Sequence, residues 1–296
     1  MKISGQDKGD WIFELVNNFF LALALLVVLY PIYYILIASI SNPDAVNTGQ
    51  VWIVPIDVTW EGYSRIFADP MILSGYRNTL FYTFTGTLLN ILITMMLAYP
   101  LSRRSFFGKK AIMVFITVTM YFDGGLIPTY MLVKSLGLYN NWMVMIILGA
   151  VSVFNVIIAR TFLQSNIPEE LYEAATIDGC SHIVFFIKMV LPLSKAIIAV
   201  LALYYGVRNW NEFMKALIYL SDENKYPLQL FLRRILILNQ AREEMTADIA
   251  GGQNKQKIAD LIKFGVIIVS SMPVLILYPF LQKYFIKGIM IGSLKG

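Results

Sequence analysis

Long uncharged stretches alternate with short polar ones along this chain. Phe19 to Ile40, Asn78 to Ser102, Ser135 to Ala159 and Phe264 to Gln282 carry no charged side chain. Each is close to or above the roughly 20 residues that a helix needs to cross about 30 Å of hydrocarbon. Two more stretches are long enough but interrupted: Ala111 to Val133 contains Asp123, and Leu193 to Leu220 contains Arg208, Glu212 and Lys215. Length and flanking charge together predict an all-α fold, a polytopic membrane helical bundle of about six transmembrane helices.

The polar break between the fourth and fifth of these six stretches, residues 166–192, has the most specific local pattern. Pro168 suits the first turn of a helix, where no N–H is needed, and Glu169 and Glu170 favour the positive end of its dipole. Leu171, Ala174 and Ala175 fall on one face at helical spacing, and the two alanines let another surface approach closely. Gly179 permits the left-handed turn that ends this helix. Ser181 is placed to cap a second helix, Ile183 to Val190, which Pro192 then breaks or kinks. The result is a helix-turn-helix lying across one membrane face, suited to docking a partner.

Composition narrows the class further. Apolar residues make up 57% of the chain and charged ones only 15%, as expected of a membrane protein. The net charge of +5 is unevenly spread: Arg103, Arg104, Lys109 and Lys110 crowd one connection, whereas Ser41 to Gly75 holds Asp44, Asp57, Glu61 and Asp69 against Arg65. The positive-inside rule puts the first connection in the cytoplasm, and with it both termini and the 166–192 loop. Arg233, Arg234, Lys255 and Lys257, which this alternation places outside, run against the rule. Inner-face loops account for the positive charge, so no nucleic-acid binding is indicated. The first span is longer than a signal-peptide core and lacks a small-x-small site before Pro43, so it reads as a retained anchor. A single Cys180 and a single His182 form neither a disulfide framework nor a usual zinc site. No Gly-x-x-x-x-Gly-Lys-Ser/Thr phosphate cradle and no Ser-His-Asp pattern occurs, so the chain reads as a non-enzyme without catalytic residues, metal or cofactor of its own.

Glu173-Ala174-Ala175, three residues, Gly179, nine residues, then Met189-Val190-Leu191-Pro192 resembles the signature loop of the membrane subunits of bacterial ATP-binding-cassette importers. Met189 stands where Ile is usual. Asp178-Gly179, Phe186 and Leu191 to Lys195 resemble the branch that imports oligosaccharides, although Ala196 stands where that branch often has Pro. Gly125 to Tyr130 with Lys134 to Leu138 is similar to the polysaccharide and complex-sugar members, and Trp210 to Phe213 to the sugar-importer permeases. The resemblance implies one permease domain over 1–296, in the bacterial cytoplasmic membrane. Its 166–192 loop would dock in a groove on an ATPase through Glu170, Glu173, Ala174, Ala175, Asp178, Gly179 and Ser181. It further implies a second permease subunit, two ATPase subunits that bind the ATP and Mg, an extracytoplasmic solute-binding protein and a sugar substrate.

Polar residues inside the spans are the remaining candidates. Asp123-Gly124-Gly125 with Pro128 should bend or unwind a helix, with Asp123 facing the interior or near the outer interface. Arg208 and Glu212, four apart, should pair on a helix. By resemblance Asp123, Tyr130, Arg208, Asn209, Trp210, Asn211 and Glu212 border the sugar path. The plainer readings are a bend buried against neighbouring helices and, for Trp210, an aromatic at the membrane interface. Asn155 and Arg160 should tie helices together or reach the inner face. Tyr226 to Gln240 reads as an amphipathic helix at the membrane surface or packed on the bundle, and Gly251-Gly252 as a turn. By resemblance such outer segments meet the solute-binding protein, and Lys287 to Gly296 is a tail near the ATPases. Rival readings are a permease for another solute class and an ion-coupled secondary transporter, which would usually carry an internal repeat that this chain lacks.

Overall fold

A computed structural model describes residues 8–235, 237 and 262–276. They fall into two compact units, the described residues of one lying within 8–69 and 234–271 and those of the other within 70–233 and 272–276. Gly251-Gly252, the end of the last span beyond residue 276 and the C-terminal tail lie outside the described residues.

In the first unit, α1 (Lys8–Ser39) exposes its side chains on every face from Trp11 to Tyr33. A helix apolar all round belongs in lipid or a large core rather than at a water-facing surface. Its last turns pack Ile37 and Ala38 against Ala45 and Val46 of α2 (Pro43–Asn47) and against Val51. Asn42 caps α2 by accepting from the Asp44 N–H. Tyr63 of α3 (Glu61–Ala68) shares a 2.8 Å hydrogen bond with Ser39, and Tyr34 meets Phe264 of the apolar helix Ile262–Ile276 edge-on.

The spine of the second unit is α4 (Pro70–Ser102), 33 residues and about 50 Å long. α5 (Lys109–Tyr121) and α6 (Leu126–Ser135) form a pair bent by 110°. The bend falls at the expected Asp123-Gly124-Gly125: Asp123 Oδ1 accepts from the Gly125 N–H at 3.0 Å, and Gly125 has φ +82°. The helix expected over Ser135 to Ala159 is instead divided. Gly137 and Asn140 adopt left-handed φ, α7 (Met143–Ile147) is short, and residues 148–152 break the chain before α8 (Val153–Asn166). Hydropathy registers this stretch as continuous because Gly137, Asn140, Asn141, Gly149 and Ser152 are uncharged, yet all are residues that serve turns.

α9 (Glu169–Ile177) and α10 (His182–Phe185) follow, then a π-helical turn (Phe186–Val190) and α11 (Leu191–Leu193). The break expected at Pro192 falls at Ser194, where the chain bends 79° into α12 (Lys195–Trp210). Pro192 has no N–H for the Lys188 carbonyl and its ring crowds that carbonyl; the wider π turn just before it relieves both problems. α13 (Met214–Tyr219) comes next, and a helix at 228–235 lies against α4. Two of the described helices, Trp11–Ser39 and Pro70–Ser102, are long and apolar enough to cross a membrane, and each bent pair qualifies when taken together.

The 228–235 helix packs on the bundle rather than lying on its surface. Leu228, Phe231 and Leu232 are buried as the apolar stripe required, and so is Leu230, which lies off it. Thr79 accepts the Leu228 N–H at 2.8 Å, and the Asn78 amide donates to the Asn224 and Tyr226 carbonyls. The approach is close: a Cβ at Gly75 would meet the Phe231 ring at 2.9 Å and the Leu228 Cα at 3.1 Å. Gly75→Ala should therefore destabilise the protein by about 1–3 kcal/mol. Gly124→Ala, which meets no atom within 4 Å, should leave the midpoint of thermal aggregation in detergent nearly unchanged; equal midpoints for the two variants would contradict the close packing.

Candidate functional site

The 166–192 loop forms the expected helix-turn-helix. Pro168 takes the N-cap position rather than the first turn, with extended backbone (φ −60°, ψ 147°), while Glu169 and Glu170 occupy the first turn of α9. At the other end the Gly179 N–H bonds the Thr176 carbonyl and the Cys180 N–H bonds that of Ala175, with Gly179 at φ +75°. This is the Schellman arrangement, for which glycine is the favoured residue at the left-handed position. Ser181 Oγ accepts the Val184 N–H and caps α10.

The faces of α9 differ from expectation in one respect. Leu171 and Ala175, with Tyr172, pack onto a core of Met95, Ala98, Leu163 and Phe185, but Ala174 points outward with Glu170, Glu173 and Asp178. Residues three apart share only the edge of a face, and Tyr172 claims the inner centre. Ile177 and Ile183, 86% and 72% exposed, add an apolar element to the open surface. Sequence reasoning passed over both; an isoleucine directly before the Asp178-Gly179 turn, where the helix ends and nothing covers it, was the available signal.

A buried guanidinium fastens this loop to the spine. Arg103, just past the end of α4, has an 8% exposed side chain and donates to Glu169 Oε1 at 3.0 Å. Its guanidinium lies 3.9 Å from the Tyr172 ring centre and 5.9 Å from that of Phe185. Lys109 donates to the Arg103 and Arg104 carbonyls, and Tyr172 shares a 3.0 Å hydrogen bond with His182. Arg103 thus touches α9 and α10 at once, combining an ion pair with a cation–π contact. The sequence exposed Arg103 only as a topology signal.

A second cluster surrounds the break at 148–152. Asn90 of α4, 1% exposed, donates to the Ala150 carbonyl at 2.7 Å, and its own oxygen accepts from Asn209 at 3.0 Å and Arg208 at 3.4 Å. Arg208 also donates to the Gly149 carbonyl at 2.9 Å, and the Tyr205 hydroxyl accepts the Ser152 N–H while bonding Thr94. These side chains satisfy backbone groups that the interrupted helix releases, the condition for irregular backbone at membrane depth. Asn90, Thr94 and Tyr205 had no signal in sequence beyond being polar groups on apolar helices.

The expected Arg208–Glu212 pair does not form. α12 ends at Trp210, so Glu212 no longer sits one turn above Arg208; it pairs with Lys215 at 3.4 Å and accepts the Lys215 N–H. Arg208 and Asn209 converge on Asn90, whereas Trp210 is buried with its ring tilted against Tyr76. The Asn211 amide turns back to the Val207 carbonyl. Tyr130 belongs to another cluster, stacked on Tyr219 with centroids 6.1 Å apart and edge-on to Tyr139. Asp123 is exposed at the α5–α6 bend. Asn155 is buried, and Arg160 donates to the Leu101 carbonyl, tying α8 to α4.

Residues 3–291 match the family described as "Binding-protein-dependent transport system inner membrane component". The chain belongs to this family. It is 38% identical over 282 residues to the polygalacturonan/rhamnogalacturonan transport system permease protein YtcP of Bacillus subtilis, covering 95% of this chain and 97% of that one. It is also 38% identical to the protein LplC of the same organism, covering 98% and 97%. Its fold matches the crystal structure of a bacterial ABC transporter involved in the import of the acidic polysaccharide alginate, with a TM-score of 0.85, 31% identity and coverage of 96% and 100%. The polytopic helical bundle is therefore that of a membrane transport component.

Two variants test the geometry. Arg103→Ala leaves Glu169 without its partner, a loss of about 1.5–3 kcal/mol for a charged hydrogen bond. Amide exchange across α9 should accelerate about tenfold or more; an unchanged rate would mean that Arg103 does not hold the loop. Asn90→Leu should destabilise the purified protein by about 1–3 kcal/mol, because it strands the Ala150 carbonyl, and a thermal midpoint equal to wild type would remove the network from the account of the break.

Proposed function

We propose that this chain is the permease subunit of an ATP-driven importer and forms half of the path for oligosaccharides or polysaccharide fragments. A second permease subunit completes the path, an extracytoplasmic binding protein delivers the sugar, and two ATPase subunits bind the ATP and Mg. The observation that carries this reading is the outward face of the signature loop: Glu170, Glu173, Ala174, Ile177 and Asp178 stand open on a helix that Arg103 fastens to a span. A face that is exposed yet rigidly backed suits a surface that transmits force. The saccharide cargoes named for YtcP and for the alginate transporter support the choice of substrate class.

In this reading the 166–192 loop and both termini are cytoplasmic and residues 1–296 act as one permease domain. ATP-driven closure of the ATPases pushes on α9 and α10, and the push reaches α4 through Arg103 and the shared apolar core. The spans then rock as rigid bodies between inward-open and outward-open paths. The chain itself does no ATP chemistry. Among the path candidates, Asp123 and Asn211 have exposed side chains able to meet a sugar hydroxyl, while Arg208 and Asn209 shape the path by holding the 148–152 break in place. Tyr130 forms an aromatic wall, Trp210 is buried against Tyr76, and Glu212 keeps Lys215 neutralised.

Glu173→Lys and Gly179→Pro should each reduce sugar uptake by tenfold or more while the chain remains in the membrane at normal abundance. Proline cannot adopt the +75° φ of Gly179, and the lysine reverses a charge on the open face. Mass spectrometry of proteins that co-purify with the tagged chain in mild detergent should find a P-loop ATPase and a second multi-span permease; normal uptake by both variants, or recovery of this chain alone, contradicts the reading.

A further inference from the structure

Arg233, on the 228–235 helix, is a cation that neither topology nor packing accounts for. It is one of the charges that run against the positive-inside rule. Its side chain is half-buried, and among the described residues it has no ion pair and no hydrogen bond. Other cations of the same unit are committed: Arg103 to Glu169, Lys215 to Glu212, Lys225 to Asp222, and Arg208 to Asn90 and the Gly149 carbonyl. A guanidinium partly withdrawn from water without a counter-ion is costly. A water molecule can accept one of its N–H groups but cannot balance its charge.

The surroundings of Arg233 show what would balance it. Its guanidinium lies 4.5 Å from the Phe213 ring centre. Such stacking occupies the face of the group and leaves its in-plane donors to an acceptor. Only Nη1 of the three nitrogens is enclosed without a partner. The Nε–Nη2 edge is left, and its two parallel N–H groups are the fork that a carboxylate accepts bidentately. One helical turn earlier, the Gln229 amide donates to Asn211 Oδ1 at a long 3.5 Å. These two contacts lay residues 211–213 along the face of the helix that carries Gln229 and Arg233. Asn211 is exposed, and Gln229 and Phe213 are partly so, which keeps the cluster reachable from outside the core.

We propose that Arg233, Phe213, Asn211 and Gln229 form a subsite for the carboxylate of an acidic sugar, a uronate unit of the transported saccharide. Arg233 takes the carboxylate on its Nε–Nη2 edge while Phe213 holds the guanidinium plane. The amides of Asn211 and Gln229, joined to each other only by a long bond, take ring hydroxyls. A neutral saccharide would satisfy the amides and leave the cation unbalanced. A carboxylate side chain of a partner protein would balance the cation and leave the amides unused. Only a ligand with both groups uses the whole cluster, in the manner of pockets that combine an aromatic surface with a few placed polar groups. The subsite rests on the importer reading above and narrows its cargo to anionic saccharides.

The test compares uptake of labelled trigalacturonate with that of its methyl ester, in which the same sugar skeleton carries no charge. Both are measured in cells that express the whole transporter, with wild type, Arg233→Gln or Arg233→Lys in place. Arg233→Gln should lower the acid-to-ester uptake ratio by about tenfold or more, the loss of one charge-assisted hydrogen-bonded pair. Arg233→Lys, which keeps the charge, should recover part of that ratio. The binding protein is the same in all three strains, so its own preference cancels. A ratio unchanged in Arg233→Gln would overturn the subsite, whether uptake of both sugars is normal or falls equally; an equal fall would assign the guanidinium to the fold or to a partner protein. A transporter that co-purifies with its ATPase yet takes up neither trisaccharide would overturn the substrate class and leave the importer reading standing. Recovery of the chain alone would refute the importer reading and the subsite with it.

Discussion

Backbone polarity is the constraint on which this structure turns. A membrane helix bonds its own N–H and C=O groups; once it is interrupted, the freed groups need partners from elsewhere in the protein. The second unit interrupts its helices at 122–125, at 136–142, at 148–152 and at Ser194. Each interruption is answered locally or from a neighbour. Asp123 serves Gly125, the Asn140 N–H donates to the Tyr219 carbonyl while the Asn140 carbonyl accepts from Lys225, and Asn90, Arg208 and Tyr205 serve Ala150, Gly149 and Ser152. Polar residues on otherwise apolar helices are explained first by this accounting and only then by substrate.

α4 is the element that gathers these answers. Its early turns hold the 222–226 loop through Asn78 and Tyr82, its middle carries Asn90 and Thr94, and its end leads to Arg103 and the 166–192 loop. The loop at 222–226 is itself set by Asp222, whose carboxylate is held below its usual pKa by the Asn224 N–H and by Lys225. One continuous helix therefore links the 166–192 loop, the interrupted span and the far loop. A helix is stiff along its axis, so displacement at one end is carried to the other rather than absorbed.

Much of this was legible in the sequence, and unevenly so. The Glu173-to-Pro192 pattern foretold both short helices, the Gly179 turn and the Ser181 cap, because each depends on the intrinsic chemistry of one or two residues. The bend at Asp123 was legible for the same reason. The single span over Ser135 to Ala159 was not there, since a hydropathy sum weighs uncharged turn residues as if they were helix formers. The Arg208–Glu212 pair failed because helical spacing presupposes a helix that runs past Trp210. Among the candidate residues, Trp210 and Asn209 turned out to be engaged within the chain, which no spacing rule could disclose.

By itself the sequence determined the class of the protein and, in the 166–192 loop, the Gly179 turn and the Ser181 cap. Hydrophobic length, charge bias and capping residues act over a turn or a span, and their consequences do not depend on distant partners. Only the tertiary structure decided what Arg103 and Asn90 are for. Glu169 lies 66 residues from the first and Ala150 lies 60 from the second, so both contacts exist only because packing of apolar faces brings remote helices together. That packing is non-directional; the few buried polar groups it encloses are what give the arrangement a single register.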